Sequence, residues 1–187
     1  MHKYQEMASE FQRRKIAGVF EAMDANDDGL LEQSDFEALA ARWTSLRGLE
    51  AGSAEYETLT GIMLGWWTAL RSASDVNRDD KVSLDEVLLV VDQLPTMLAS
   101  VEATATAMFE ATDENRDGRI SAEEYHQLIE AWNGVETDTD AVFPLLDLNH
   151  DGHVSRTEFT ELWTQFWVGD DPAEPGTWVF GRFPQPV

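Results

Sequence analysis

The sequence predicts an all-α protein in which four helix–loop–helix units pack into one compact globule. Three observations carry this prediction. Four acidic stretches repeat one skeleton at intervals of about 40 residues, apolar stripes at helical spacing flank them, and Pro and Gly punctuate the chain between them.

The skeleton is legible by eye. Residues 24–29 read Asp-Ala-Asn-Asp-Asp-Gly, 75–80 Asp-Val-Asn-Arg-Asp-Asp, 113–118 Asp-Glu-Asn-Arg-Asp-Gly and 147–152 Asp-Leu-Asn-His-Asp-Gly. Each has an apolar residue at its eighth position (Leu31, Val82, Ile120, Val154) and a carboxylate at its twelfth (Asp35, Glu86, Glu124, Glu158). Such a pattern should arise by accident roughly once in several tens of thousands of start points. Four copies in one chain are therefore a built repeat.

Helices are expected on both sides of each stretch. Ile16, Val19, Phe20 and Met23 enter the first, and Phe36, Leu39, Ala40 and Trp43 leave it. The second is entered by a long helix from 54 to about 72, with Tyr56, Leu59, Met63, Trp67 and Leu70 on one stripe. There Arg71 and Ser74 replace the apolar Phe20 and Met23 of the first unit. Its exit stripe is Val87, Val90, Val91 and Leu94, and Pro95 should end that helix. Met108 and Phe109 enter the third unit, which exits on Tyr125, Leu128, Ile129 and Trp132. Val142, Phe143 and Leu146 enter the fourth, with a kink or late start expected at Pro144, and Phe159, Leu162, Trp163 and Phe166 leave it. The predicted organisation is an N-terminal pair over 1–94, a C-terminal pair over 95–167 and a tail over 168–187. Trp178, Val179, Phe180 and Phe183 of the tail should pack back over the opening between the lobes, because that much apolar surface is costly in water.

Composition excludes several functions. Of 187 residues 43% are apolar, enough for a core, and 36 Asp+Glu against 13 Lys+Arg leave a formal charge of -23. Such a field repels nucleic acid and anionic membranes. No cysteine is present, which removes disulfides and thiolate chemistry, and 1–15 carries no apolar leader core. A cytoplasmic monomer is expected.

Ordinary alternatives account for less of the pattern. Ser83, Ser121 and Ser155 each precede a Glu by three, the capping-box pattern of any helix start, but that does not explain the acids upstream. Trp43, Trp132, Trp163 and Trp167 fall in or beside the stripes, where core packing accounts for them. His150 and His153 lie within a loop, His126 stands beside Tyr125, and neither a Ser/His/Asp arrangement nor a phosphate cradle is legible, so no enzyme is expected.

Calcium takes six to eight oxygens, which alternate residues of one tight loop can deliver. The four stretches resemble the EF-hand loop. Their spacing, the Pro break between lobes and the aromatic tail resemble the sarcoplasmic calcium-binding proteins and the bacterial calerythrin. The resemblance implies ligands at loop positions one, three, five, seven (through the carbonyl), nine and twelve. In loop one these are Asp24, Asn26, Asp28, Leu30, Glu32 and Asp35, and in loop two Asp75, Asn77, Asp79, Lys81 and Glu86. Loop three offers Asp113, Asn115, Asp117, Arg119 and Glu124, and loop four Asp147, Asn149, Asp151, His153 and Glu158, with Ser121 and Ser155 acting through water. The resemblance further implies two paired lobes, hand one with two and three with four, with short β-contacts between paired loops through their eighth residues.

Two departures bear on the metal. Asp35 is a methylene shorter than Glu, which tilts loop one toward Mg²⁺ as an alternative to Ca²⁺, with Glu32 available to compensate. Asp80 replaces the sixth-position Gly, where a left-handed backbone costs a side-chain-bearing residue about 1 kcal/mol. The expected function is an intracellular Ca²⁺ and Mg²⁺ buffer or signal modulator. The alternatives are a sensor that exposes a hydrophobic surface to an unidentified target protein and, less favoured, a chromophore-binding protein of the photoprotein kind.

Overall fold

The computed structural model describes residues 9–181. Helix α1 (Glu10–Met23) starts on Ser9, whose Oγ accepts the Gln12 N–H at 3.1 Å. After it come β1 (Leu30–Leu31), α2 (Gln33–Leu46), α3 (Ala54–Ser74), β2 (Val82–Ser83) and α4 (Leu84–Val91). A 3₁₀ turn, Leu94–Thr96, leads to α5 (Leu98–Thr112), β3 (Arg119–Ile120) and α6 (Ala122–Asn133). Helix α7 (Phe143–Leu146), β4 (Val154–Ser155) and α8 (Arg156–Val168) complete the fourth unit, and a second 3₁₀ turn spans Pro175–Trp178.

The expected pairing is present. β1 and β2 are antiparallel with Leu31 opposite Val82, and β3 and β4 with Ile120 opposite Val154. All four residues are buried. Two residues per strand would be marginal alone, so these contacts persist because each eighth residue is clamped between the helices of its pair.

Three local expectations are refined. Helix α4 ends at Val91, three residues before Leu94, because residue 94 precedes Pro95 and is biased out of the helical region. Val87, Leu88 and Val91 form its buried face, so Leu88 takes the place expected for Val90. Helix α3 runs to Ser74, two residues beyond the expected end. Pro144 produces the late start: α7 is a single turn with the proline in its first two positions.

The lobes share one core. Trp66 of α3 stacks on Trp132 of α6, with centroids 5.3 Å apart, and also meets Trp163 and Trp167 of α8. Lys15 of α1 is 1% exposed, and its ammonium donates to the carbonyls of Phe166 and Gly169, each at 2.8 Å, at the C-terminal end of α8. Burial, partly opposed by the field of Glu174 and Asp170, brings its pKa down to about 8. Beyond α8 the chain turns back. Val179 is buried, and Phe180 packs its ring against Trp132, Trp163, Phe166 and Trp167 with centroids 4.8–6.1 Å away. The Tyr125 hydroxyl donates to the carbonyls of Trp178 and Val179 at 2.9 and 3.2 Å. Phe183 lies outside the described residues.

Candidate metal centres

Each loop begins where an entering helix stops. Asp24, Asp75, Asp113 and Asp147 are the C-caps of α1, α3, α5 and α7, and their N–H groups still donate back to the preceding turn. Their carboxylates point into the loop because backbone donors hold them there. Asp147 accepts from Asp151 N–H (3.1 Å) and Gly152 N–H (2.7 Å), and Asp24, Asp75 and Asp113 accept from the same two positions of their own loops. At position three the side-chain oxygens of Asn26, Asn77, Asn115 and Asn149 accept the N–H of position five. At position five Asp28, Asp79, Asp117 and Asp151 accept the N–H of position seven. These nested turns fold the oxygen-bearing side chains of positions one, three and five onto the amides of their own loop. The N–H of His153 holds the Asp151 carboxyl below its ordinary pKa, so it stays ionised.

The turns demand left-handed backbone twice per loop. Position six has it, as expected, with φ of 81° at Gly29 and Gly118 and 86° at Gly152. Position four has it as well: Asp27, Arg78, Arg116 and His150 lie at φ 57–59°. The sequence reading located only the first of these, since no glycine marks the second. Asp80 adopts φ 63° without glycine, and its carboxylate accepts from Arg71 Nη1 at 3.0 Å. Arg71, which looked out of place on an entering stripe, thus holds the irregular residue of its own loop.

The twelfth residue closes each loop and begins the exit helix in the same act. Glu86, Glu124 and Glu158 accept the N–H of Ser83, Ser121 and Ser155, while those serines cap the first helical turns. The capping box is real and coexists with the loop. A second oxygen reaches back across the loop, as where Glu158 accepts from Leu148 N–H at 2.7 Å. Asp35 spans the same gap despite its missing methylene, accepting from Glu32 N–H at 2.8 Å and Ala25 N–H at 3.0 Å. It is 1% exposed, and burial raises its pKa against the opposing effect of those two donors.

In loop four, one carboxylate oxygen each of Asp147, Asp151 and Glu158 lie within 4.8 Å of one another. Three anionic oxygens at that separation repel in the absence of a cation and make a hard-donor set suited to Ca²⁺ or Mg²⁺. The donor chemistry fits the ion that the sequence implies.

Glu32 has another partner. Its carboxylate lies 2.6 Å from Lys81 Nζ, so position nine of loop one is ion-paired with position seven of loop two. The antiparallel register dictates this, since setting the eighth residues opposite each other places nine against seven. The signal for this ion pair was present in the sequence, which offered Glu32 only as a ligand able to compensate for the short Asp35.

Four helix–loop–helix units with these loops, paired by two-residue strands, define an EF-hand protein. The EF-hand domain pair matches residues 102–164, and a single EF hand matches residues 16–40. The chain is similar to the sarcoplasmic calcium-binding proteins. It is 29% identical over 94 residues to proteins II, V, VI and VII of Branchiostoma lanceolatum, covering 50% of this chain and 51% of theirs. It is 37% identical over 71 residues to the alpha-B and -A chains from Penaeus sp., 37% of each chain. These matches span about half or less of the relatives' length. Among solved structures, the amphioxus sarcoplasmic calcium-binding protein superposes with a TM-score of 0.69 at 23% identity over 95% of this chain and 100% of that one. The calcium-loaded apo coelenterazine-binding protein of Renilla muelleri gives 0.71 at 22% over 92% and 98%. A Streptomyces coelicolor calcium-binding protein gives 0.69 at 21% over 86% and 99%. The structures share the fold, and the relatives matched in sequence are sarcoplasmic calcium-binding proteins.

Proposed function

We propose that this protein binds Ca²⁺ in its four loops and serves as a cytoplasmic Ca²⁺ and Mg²⁺ buffer or signal modulator, working as a monomer. The observation that carries the reading is the convergence of Asp147, Asp151 and Glu158 on one point within a loop whose skeleton occurs four times. Asp24, Asn26, Asp28, Glu32 and Asp35 would hold an ion in loop one, with the Leu30 carbonyl, and Asp75, Asn77, Asp79, Glu86 and the Lys81 carbonyl in loop two. Asp113, Asn115, Asp117, Glu124 and the Arg119 carbonyl would serve loop three. Asp147, Asn149, Asp151, Glu158 and the His153 carbonyl would serve loop four. Each divalent ion adds two charges, so four filled loops take the formal charge from -23 to -15 and relieve self-repulsion.

The tail supports buffering over sensing. A sensor must offer an apolar opening to its target, and here Val179 and Phe180 already cover the aromatic cluster. Against a chromophore cavity stands the size of the apolar cleft between Trp66, Val91, Met97 and Trp167, about 120 Å³ against the several hundred that ligand pockets occupy, while larger clefts among the described residues, about 390–580 Å³, are lined by charged side chains.

Calorimetric titration of the metal-free protein with Ca²⁺, repeated in millimolar Mg²⁺, tests the proposal. High-affinity uptake is expected at loops three and four, with dissociation constants within about 10⁻⁹ to 10⁻⁵ M. Glu124→Gln combined with Glu158→Gln should remove that uptake, and unchanged stoichiometry would refute the assignment.

A further inference from the structure

Helix α2 leaves loop one and lies across the third hand. Arg42 Nη1 donates to the carbonyls of Ala131 (2.9 Å) and Trp132 (3.3 Å), in the last turn of α6. Five residues on, Arg47 Nη2 donates to the carbonyls of Ala111 (2.6 Å) and Thr112 (3.3 Å), the last two residues of α5. Between these contacts, Gln127 of α6 accepts from both Arg47 Nε (2.7 Å) and Trp43 Nε1 (3.3 Å).

The fit is built from both sides. Neither α5 nor α6 has a basic residue in its last turn, so the positive charge that complements their carbonyl ends comes from another hand. Gly134, which ends α6 at φ 75°, sits so close to the guanidinium that a Cβ would lie 2.9 Å from Arg42 Cζ. A side chain there would displace the arginine.

Helices α5 and α6 are the entering and exit helices of hand three, and the angle between them is what an ion changes in hands that open. One rigid element holds the ends of both. Toward its start, about 10 Å from Arg42 and about 18 Å from Arg47 by helical rise, that element carries Asp35, the closing residue of loop one. We propose that α2 is a strut coupling hand one to hand three: Asp35 sets the position of α2, and Arg42 and Arg47 pass that position to the α5–α6 pair, so the occupancy of loop one tunes the affinity of loop three. This rests on the metal-binding reading above. It differs from the strand contacts, which join one to two and three to four. Arg42 and Arg47 act here as positioning residues and touch no ion.

The test follows the Gly118 amide by NMR during Ca²⁺ titration of the full chain, which reads loop three alone. Four proteins are compared: native, loop one disabled by Asp24→Asn with Asp28→Asn, Arg42→Lys with Arg47→Lys, and the combination. Disabling loop one should change loop-three affinity about fivefold or more in the native background, and less than about twofold in the lysine background. Lysine keeps the charge and loses the planar fork, so the lysine background also separates the strut from the long-range field of loop one. If circular dichroism shows the double lysine variant unfolded, Arg42→Gln alone must still shrink the coupling. Loop-three affinity indifferent to loop one, or equally sensitive in both backgrounds, overturns the strut. A Gly118 resonance that never responds to Ca²⁺ overturns the metal-binding reading, and the strut with it.

Discussion

Truncating Phe180 to alanine tests whether the tail closes the aromatic core. The ring sits within 4.8–6.1 Å, centroid to centroid, of Trp132, Trp163, Phe166 and Trp167, while its outer edge stays partly exposed. Removing a fully buried phenylalanine costs about 3–5 kcal/mol. Partial exposure reduces that to about 2–3 kcal/mol, still including aromatic contacts of roughly 0.5–1.5 kcal/mol each that are not additive. For a chain of this size, each kcal/mol lowers the melting temperature by about 2–4 °C, so Phe180→Ala should melt about 5–10 °C lower in saturating Ca²⁺. The same variant should bind more of a hydrophobic dye, because three tryptophans lose their cover. Thermal unfolding and dye fluorescence in Ca²⁺ check both. An unchanged midpoint with unchanged dye binding would show that the tail leaves the core unsealed and would return weight to the sensor alternative.

The remaining predictions concern the loops and the buried lysine. Asp35→Glu should raise the Ca²⁺ over Mg²⁺ preference of loop one about tenfold, as one added charge-assisted contact allows. It should also lower metal-free stability by about 1–3 kcal/mol, since Asp35 is 1% exposed and the methylene must be accommodated. Competitive titration and thermal melting check these, and an unchanged preference refutes the reach argument. Asp80→Gly relieves about 1 kcal/mol of left-handed strain but gives up an exposed ion pair with Arg71 worth about 0.2–1 kcal/mol, so loop two should tighten by no more than about fivefold. Weaker Ca²⁺ binding would mean that Arg71 does more than neutralise. The Lys15 pKa of about 8 lies below its unfolded value of 10.5, so the native state loses that proton first. Stability in saturating Ca²⁺ should therefore rise between about pH 8 and 10, by at most about 1.4 kcal/mol per pH unit, and Lys15→Met should flatten the profile. A profile identical to that of the variant refutes the assignment.

The sequence by itself determined the repeat, the helices and the turns of the loops, because each depends on contacts within about twelve residues. The first-position Asp must face the amides four and five residues on, the glycine must turn left-handed, and the twelfth carboxylate must reach the ninth amide. Even the strand register followed once the eighth residues were paired, and with it the Glu32–Lys81 contact. The end of α4 and the shortness of α7 followed from Pro95 and Pro144, although the buried face of α4 was misjudged by one residue.

Only the tertiary structure decided what the isolated charges do. Lys15, Arg42 and Arg47 stand on helices of the first hand or just beyond them, where a helical pattern reads them as solvated. All three donate to backbone carbonyls 64 to 154 residues away. A carbonyl at a helix end has no residue type, so no sequence pattern marks it as an acceptor for a distant cation. That is why the pairing within each lobe was legible in the sequence, and the fastening of one lobe to the other was not.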